Sequence, residues 1–131
     1  GILDYIDQYI FDEDIILLAE DGGHFDEFET RPIAYQMSGK CWVNNHAHII
    51  RANENNLHKW IYYCLVHKNI LKFINGGTRS KLNQSDLREI QIPIPTLSEQ
   101  KKITSILTSV DEVIENTRKK IKEEKICLMI S

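Results

Sequence analysis

The sequence predicts an α+β protein in which a small, mixed, β-rich domain is followed by a long C-terminal helix of the coiled-coil type. Three observations support this prediction. Segments rich in Ile, Leu, Tyr and Phe fill the first half, apolar residues recur at helical spacing from Leu57, and a capped heptad pattern begins at Thr96. We therefore divide the 131 residues into a domain at 1–95 and a helical arm at 96–131.

The first half contains strand-like segments separated by turn and loop sequences. These segments are Ile2–Phe11, Ile15–Ala19, Ile33–Met37 and Cys41–Arg51. Asp21-Gly22-Gly23 is a turn signal, and the acidic His24–Arg31 segment before Pro32 is predicted to be a loop. Ser38-Gly39 predicts that the last two strands form a hairpin.

A helix is predicted where the apolar spacing changes to three and four residues. The residues with this spacing are Leu57, Trp60, Ile61, Cys64 and Leu65. Asn55 or Asn56 is available as the N-cap, and the pattern predicts a helix to about Phe73. Gly76-Gly77 would end it, because glycine readily takes the left-handed conformation.

The segment between this helix and the arm predicts a loop, a short turn and an extended stretch. The loop is Thr78–Gln84, and Ser85 is a candidate cap for a turn that runs to Glu89. In Ile90–Pro95, isoleucine alternates with Gln91 and two prolines. Proline removes a backbone donor, so this stretch is expected at a sheet edge or as an extended crossing.

The arm begins with a capping box, Thr96-Leu97-Ser98-Glu99. Its heptad seam predicts helix pairing through Ile103, Leu107, Val110, Ile114, Ile121 and Leu128, with Thr117 and Glu124 at two further seam positions. Ile106 and Val113 widen the apolar stripe, so the first half is also expected to pack on its own domain. The helix would be about 50 Å long and would need a partner helix.

Charge is distributed unevenly along the chain. Residues 1–30 carry ten of the 19 acids and none of the 16 Lys and Arg residues, so residues 31–131 have a formal charge of +7. His67–Lys81 contains four of these basic residues and no acid. Clustered cations suit phosphate binding, although a solvated helix face followed by a basic loop would give the same pattern.

Other features limit the classes of protein. No apolar run approaches the length of a membrane span, and Gly1–Ile10 lacks the features of a signal peptide. Cys41, Cys64 and Cys127 are widely spaced and form no CxxC motif, so neither a disulfide framework nor a zinc site is predicted. We expect a cytoplasmic protein.

Two clusters of side chains are candidates for ligand recognition. Lys40–His48 combines Trp42 with Asn44, Asn45, His46 and His48, which suits base contacts or phosphate contacts. A strand with a polar exposed face is the alternative. His46 and His48 are suitable zinc ligands, but no second Cys or His pair has suitable spacing, so no metal is expected.

The second cluster is Gly76–Gln84. Its glycines free backbone amides, and its hydroxyls and cations match phosphate oxygens. The GxxxxGK[ST] order of a nucleotide-binding loop is absent, and no GxSxG motif or Cys signature indicates a nucleophile. Glu20 and Asp21 would point to opposite faces of a strand, so joint acid–base catalysis is not indicated.

These motifs together resemble a known family. Gly76–Asn83, Leu87, Ile92-Pro93-Ile94-Pro95 and Leu97–Ile103 look like the end of a target-recognition domain in the specificity subunit of Type I restriction-modification systems. The run from Ile92 into the heptad helix is a strong signature of that family. Leu17–Gly23 and Lys40–Ile49 are similar to its recognition-domain segments.

The resemblance implies a non-catalytic subunit with no cofactor of its own. It implies that residues 1–95 are a partial target-recognition domain that lacks its opening part and that 96–131 is a conserved helical region. Such a subunit reads one half of a bipartite target in double-stranded DNA. Its helix pairs with a second helical region in the same subunit or with a second copy, and modification subunits and a restriction subunit bind to it.

The resemblance also assigns DNA contacts to residues of this sequence. Phosphate contacts are expected from Thr78, Arg79, Lys81 and Asn83, and contacts nearer the bases from Tyr35, Lys40, Trp42, Asn44, Asn45 and His46. The alternative is a protein-interaction and oligomerisation module that does not bind DNA, in which the arm associates and the basic loop contacts an acidic protein. An enzyme is the third hypothesis and has little support.

Overall fold

A computed structural model describes residues 11–21, 24–41, 46–75 and 81–130 of the chain. It confirms the predicted α+β class, because a small antiparallel sheet is followed by a long C-terminal helix. The strands are β1 (Phe11–Asp12), β2 (Ile15–Ala19), β3 (Ala34–Met37), β4 (Lys40–Cys41) and β5 (Ala47–Ile50). The helices are α1 (His58–Leu65), α2 (Gln84–Leu87) and α3 (Leu97–Ile130).

The sheet is organised around β2, which pairs antiparallel with β3 on one side and with β5 on the other. The predicted hairpin between the segments that contain β3 and β5 is therefore wrong. The first four residues of β2 are all buried, and such an apolar run is typical of a central strand with neighbours on both sides. β4 pairs instead with β1. This pairing continues the register of the β2–β3 pair along the chain.

The two faces of β2 contribute to different clusters. Ile16 and Leu18 are fully buried and face the main core, where Trp60, Ile61 and Leu65 of α1 pack against them. On the opposite face, Ile15 and Leu17 form a smaller buried cluster with Met37, Ala47 and Ile49 packed against it. Alternation along the strand therefore places α1 over one face of the sheet.

The helix α1 is shorter than the sequence predicts. It ends at Leu65, and a 3₁₀ turn at Leu71–Phe73 follows instead of further α-helix. The Val66 carbonyl accepts a hydrogen bond from the Ile33 amide at 2.8 Å, and the Asn69 side chain accepts one from the Leu71 amide at 3.1 Å. These bonds compete with continuation of the helix.

The start of α1 also differs from the prediction. Leu57, and neither Asn55 nor Asn56, is the N-cap residue, and it makes no side-chain capping bond. The Asn53 side chain instead accepts hydrogen bonds from the Asn55 amide and the Asn56 side chain, within the turn that precedes the helix.

The segment from residue 83 to residue 95 crosses the core without joining a sheet. α2 begins one residue before the predicted Ser85 cap position, with Asn83 at its N-cap. Ile90 and Ile92 pack against the main cluster, and the Trp60 indole N–H donates to the Pro93 carbonyl at 2.9 Å. Of the two predicted alternatives for Ile90–Pro95, the extended crossing is confirmed.

The helix α3 begins at the predicted cap. The Thr96 hydroxyl oxygen accepts a hydrogen bond from the Glu99 amide at 3.2 Å, and the Glu99 carboxylate accepts one from that hydroxyl at 3.1 Å. The 34 residues of α3 make it about 50 Å long. None of the helices in the described ranges has the length and apolarity that crossing a membrane requires.

The contact of α3 with the domain is polar, which corrects the prediction for Ile106 and Val113. Both side chains are 64% exposed, whereas Gln100 is fully buried and Thr104 is 5% exposed. Ile106 and Val113 lie on another side of the helix, because each residue turns it by about 100°. The apolar stripe therefore remains open to solvent along the whole helix.

Candidate nucleic-acid interface

Three segments meet at the C-terminal end of β2. The Glu20 amide donates to the His46 carbonyl at 2.9 Å, and the Leu82 amide donates to the Glu20 carbonyl at 2.7 Å. Asp21 and Lys81 form an antiparallel bridge. The two sequence clusters, Lys40–His48 and Gly76–Gln84, thus have described parts beside each other at this end of the sheet.

The second cluster is held in place by Leu82 and its neighbours. The Leu82 side chain is fully buried in the main core. The Leu82 carbonyl accepts a hydrogen bond from His48 Nε2 at 2.6 Å, so this ring nitrogen carries the proton. The Asn75 amide donates to the Lys81 carbonyl at 3.0 Å, which ties together the residues that flank 76–80.

Polar side chains at this end of the sheet face solvent. Lys81 is exposed and Asn83 is half-buried. The His46 side chain is 60% exposed, and its Nδ1 lies 3.4 Å from an Asp21 carboxylate oxygen. Asp21 therefore neighbours both His46 and Lys81. We refer to His46, Lys81 and Asn83 as the sheet-end surface.

Further basic residues follow α1. Lys68 is half-buried, and the Lys72 ammonium lies 5.0 Å from the centre of the Phe73 ring, in a cation–π geometry. His67 Nδ1 donates to the Phe28 carbonyl at 2.7 Å. The imidazole of His67 is therefore held by a hydrogen bond within the domain.

Several of the predicted contact residues lie outside the described residues. These are Trp42, Asn44, Asn45, Thr78 and Arg79, together with the side chain of Lys40. The backbone of Lys40 is described, and it pairs with Asp12 at the opposite end of the strand ladder from Glu20. Of Trp42, Asn44, His46 and His48, only the two histidines lie among the described residues, and His46 precedes β5.

Tyr35 lies away from the sheet-end surface. It is 57% exposed and lies at a groove of about 560 Å³ between β3, α1 and α3. We call this the tyrosine groove and define it by Tyr35, Tyr62, Tyr63, Asp111, Glu112 and Glu115. Burial raises the pKa of Tyr62 and Tyr63 above the ordinary value, and the nearby Asp111 carboxylate adds to the rise.

Gln100 has a role that the sequence does not reveal. Its carbonyl oxygen accepts from the Leu57 amide at 3.0 Å, and its amide nitrogen donates to the Asn56 side chain at 2.8 Å and to the Pro95 carbonyl at 3.0 Å. One buried side chain thus joins α3 to the start of α1 and to the crossing segment. The only sequence feature that distinguishes Gln100 is its position within the Leu97–Ile103 motif.

No metal centre is formed by the described part of the chain, where no group of three or more His, Cys, Asp or Glu side chains is suitably placed. His48 Nε2 is occupied by its hydrogen bond to the Leu82 carbonyl. Cys64 and Cys127 are free thiols.

The class of fold is a small antiparallel-sheet domain that carries a long C-terminal helix, with polar side chains at one end of the sheet. The family model for the Type I restriction modification DNA specificity domain matches residues 1–124. This chain therefore belongs to that family. No solved structure matches it significantly.

Three relatives are named as specificity subunits. A Haemophilus influenzae protein named as a type I restriction enzyme specificity subunit is 36% identical over 84% of this chain and 28% of its own length. The MjaX and MjaIX specificity subunits of Methanocaldococcus jannaschii are 37% and 40% identical, over 56% and 47% of this chain and 19% and 15% of their lengths. The chain spans less than a third of each relative.

Proposed function

We propose that this chain is a DNA-reading part of a non-catalytic specificity subunit in a Type I restriction-modification complex. Residues 1–95 would form part of the target-recognition domain, and 96–131 would form the helical arm. The observation that carries the proposal is the convergence of the two sequence clusters at the end of β2, where Lys81 and His46 both neighbour Asp21. Membership of the specificity-domain family supports it.

The sheet-end surface would face double-stranded DNA. Lys81 and Asn83, with Thr78 and Arg79 close by in the sequence, would hold phosphates and so position the duplex. Base contacts would come from Lys40–His46, where Lys40, Trp42, Asn44, Asn45 and His46 are the candidates. Tyr35 lies instead in the acidic tyrosine groove, away from the sheet-end surface. Asn and Lys side chains have donors that match base edges in the major groove.

The complete subunit would read one half of a bipartite target with this domain. Modification subunits, which supply the methyl-transfer chemistry, and a restriction subunit would bind to it. We propose a cytoplasmic location because the DNA and these partners are found there.

The phosphate role of the basic loop can be tested by salt dependence. Counterion release predicts that log K falls with log salt by about 0.9 for each neutralised phosphate. In the intact specificity subunit, Arg79→Ala and Lys81→Ala together should reduce the slope by about two phosphate contacts and weaken binding to all DNA sequences similarly. Fluorescence anisotropy with labelled duplex between low and physiological salt measures both effects.

A matched control is Lys119→Ala with Lys120→Ala, which removes the same charge from the exposed arm. This variant should keep the wild-type slope. An unchanged slope in the Arg79 and Lys81 variant would contradict the phosphate role. A selective loss on one sequence alone would instead assign these residues to base readout.

The arm would pair through its seam and act as a spacer between two readers. Six apolar seam residues, Ile103, Leu107, Val110, Ile114, Ile121 and Leu128, are 36–78% exposed. Such a stripe in water favours a partner helix. The partner is either a second helical region of the same subunit or a second copy of the chain.

The same open seam favours the alternative function, a protein-interaction and oligomerisation module that does not bind DNA. The two functions differ in one result. Stable association of the intact subunit without retention of duplex DNA at low salt would support the module, whereas salt-sensitive DNA binding would support the specificity subunit.

A further inference from the structure

The tyrosine groove lies on a different side of α3 from the pairing seam. At about 100° per residue, the centre of the seam lies about 90° around the helix from the domain-facing stripe of Gln100, Thr104 and Thr108. Of the groove residues, Asp111 and Glu115 fall within the angular range of that stripe, and Glu112 lies beyond it on the side away from the seam. A helix paired along the seam would therefore leave the groove accessible.

The aromatic part of the groove presents ring faces and hydroxyls. The rings of Tyr62 and Tyr63 are 5.3 Å apart with an angle of 57° between their planes. Tyr35, on the edge strand β3, is more than half exposed beside them. Tyrosine faces attract cations, and arginine stacks on them while its remaining donors stay available.

The other wall of the groove is acidic. Asp111, Glu112 and Glu115 lie within about one turn of α3 and are exposed. The Tyr63 hydroxyl donates to an Asp111 oxygen at 2.7 Å, which leaves further acceptor positions on that carboxylate. In the described ranges, no Lys or Arg lies within ion-pair distance of these three carboxylates.

The charge of the groove excludes a polyanion and favours a cation. Three carboxylates repel phosphates, and Lys59 is the one basic residue among the described residues that line the groove. Like charges at positions i and i+4, such as Asp111 and Glu115, repel each other on a helix. A guanidinium between them would remove this repulsion and form charge-assisted hydrogen bonds.

We propose that the tyrosine groove binds an arginine-bearing segment of a partner protein. The guanidinium would stack on the exposed ring of Tyr35 and pair with Asp111 and Glu115. Lysine would bind more weakly, because its ammonium is a point charge without the planar fork. The groove is thus a protein-docking surface, separate from the DNA-facing sheet-end surface.

The test uses the intact specificity subunit with ring-¹³C-labelled tyrosine and N-acetyl-arginine amide as the probe. Titration should shift a subset of tyrosine ring signals saturably, and Tyr62→Phe and Tyr63→Phe assign them. The isosteric neutral probe, N-acetyl-citrulline amide, should leave the signals in place. Asp111→Asn with Glu115→Gln should weaken arginine binding about tenfold or more, since charged acceptors are replaced by neutral ones.

The control is Glu123→Gln, which removes one carboxylate of α3 outside the groove and should leave arginine binding unchanged. Equal shifts with citrulline, or no saturable shift with arginine, would overturn the proposal. Addition of target duplex distinguishes it from the proposed function. If DNA shifts the same tyrosine signals, the groove belongs to the DNA interface and the proposal is wrong. If DNA does not bind at all, the proposed function fails, while the arginine titration still decides whether the groove binds arginine.

Discussion

The two parts of α3 differ in what surrounds them. Between Leu97 and Thr108, polar side chains hold the helix against the domain, with Gln100 fully buried and Thr104 nearly so. From Asp111 to Met129, every residue is exposed. The docked part thus depends on hydrogen bonds within the chain, whereas the projecting part presents apolar residues to a partner.

This division suits a helix that docks on its own domain and also pairs with another helix. A helix that used its apolar stripe to dock on its own domain would have no continuous seam for pairing. Gln100 can be buried at low cost because its carbonyl oxygen and both donors of its amide have partners. The seam therefore remains intact from Ile103 onward.

The largest expected effect comes from breaking the docked part. Gln100→Ala removes three hydrogen bonds and leaves the Leu57 amide without its side-chain acceptor, so the free energy of unfolding should fall by about 2–4 kcal/mol. Urea denaturation followed by tryptophan fluorescence measures this. Lys101→Ala, at the next and exposed position, is the control and should change stability by less than about 0.5 kcal/mol. Equal effects of the two substitutions would show that Gln100 does not hold the arm.

A smaller effect is expected at the helix start. Thr96→Ala removes the oxygen that accepts from the Glu99 amide, and loss of such a cap typically costs about 1 kcal/mol. The same denaturation experiment detects it. Ser98→Ala, inside the first turn, serves as the comparison. A loss at Ser98 as large as that at Thr96 would contradict the capping role.

The smallest effect on the domain is expected from the projecting part. Ile114→Asp lies in the exposed seam, so at protein concentrations too low for pairing the free energy of unfolding should change by less than about 0.5 kcal/mol. A destabilisation comparable to that of Gln100→Ala would mean that the seam also contacts the domain.

The parts of the fold that were predicted correctly are those whose apolar residues recur at a regular spacing. The strand Ile15–Ala19 and the heptad helix after Thr96 follow the spacing of their apolar residues, and both are confirmed. The pairing of the strands was predicted wrongly. Strands that are adjacent in the sequence suggest a hairpin, whereas the buried apolar run in β2 requires a neighbouring strand on each side. Hydropathy cannot show which residues will lie beside Ile16 or Leu17.

The length of α1 and the docking face of α3 were missed for a related reason. Ile70 continues the apolar pattern after α1, but its side chain is buried in a segment that turns back to the core. Gln100 and Thr104 are polar, so a rule based on apolar stripes assigns the domain contact to Ile106 and Val113 instead. Polar burial depends on partners such as Asn56, which are distant in the sequence.

The candidate site was predictable in composition but not in arrangement. The residue types in Lys40–His48 and Gly76–Gln84 indicate phosphate and base contacts, and the resemblance to a family linked them. Their proximity depends on the bonds from His48 and Glu20 to Leu82, which no local pattern specifies. The family resemblance predicts Tyr35 near the bases, whereas its acidic neighbours in the structure suit protein contact better.

The mass of the chain in solution, measured by light scattering for the wild type, Ile114→Asp and Gln100→Ala in parallel, tests the separation of the two surfaces most directly. We predict that the wild type associates with a second copy through the seam and that Ile114→Asp is monomeric. Gln100→Ala should keep the wild-type mass although its domain is less stable. Retention of the wild-type mass by Ile114→Asp, or its loss in Gln100→Ala alone, would contradict a seam that is independent of the domain contact.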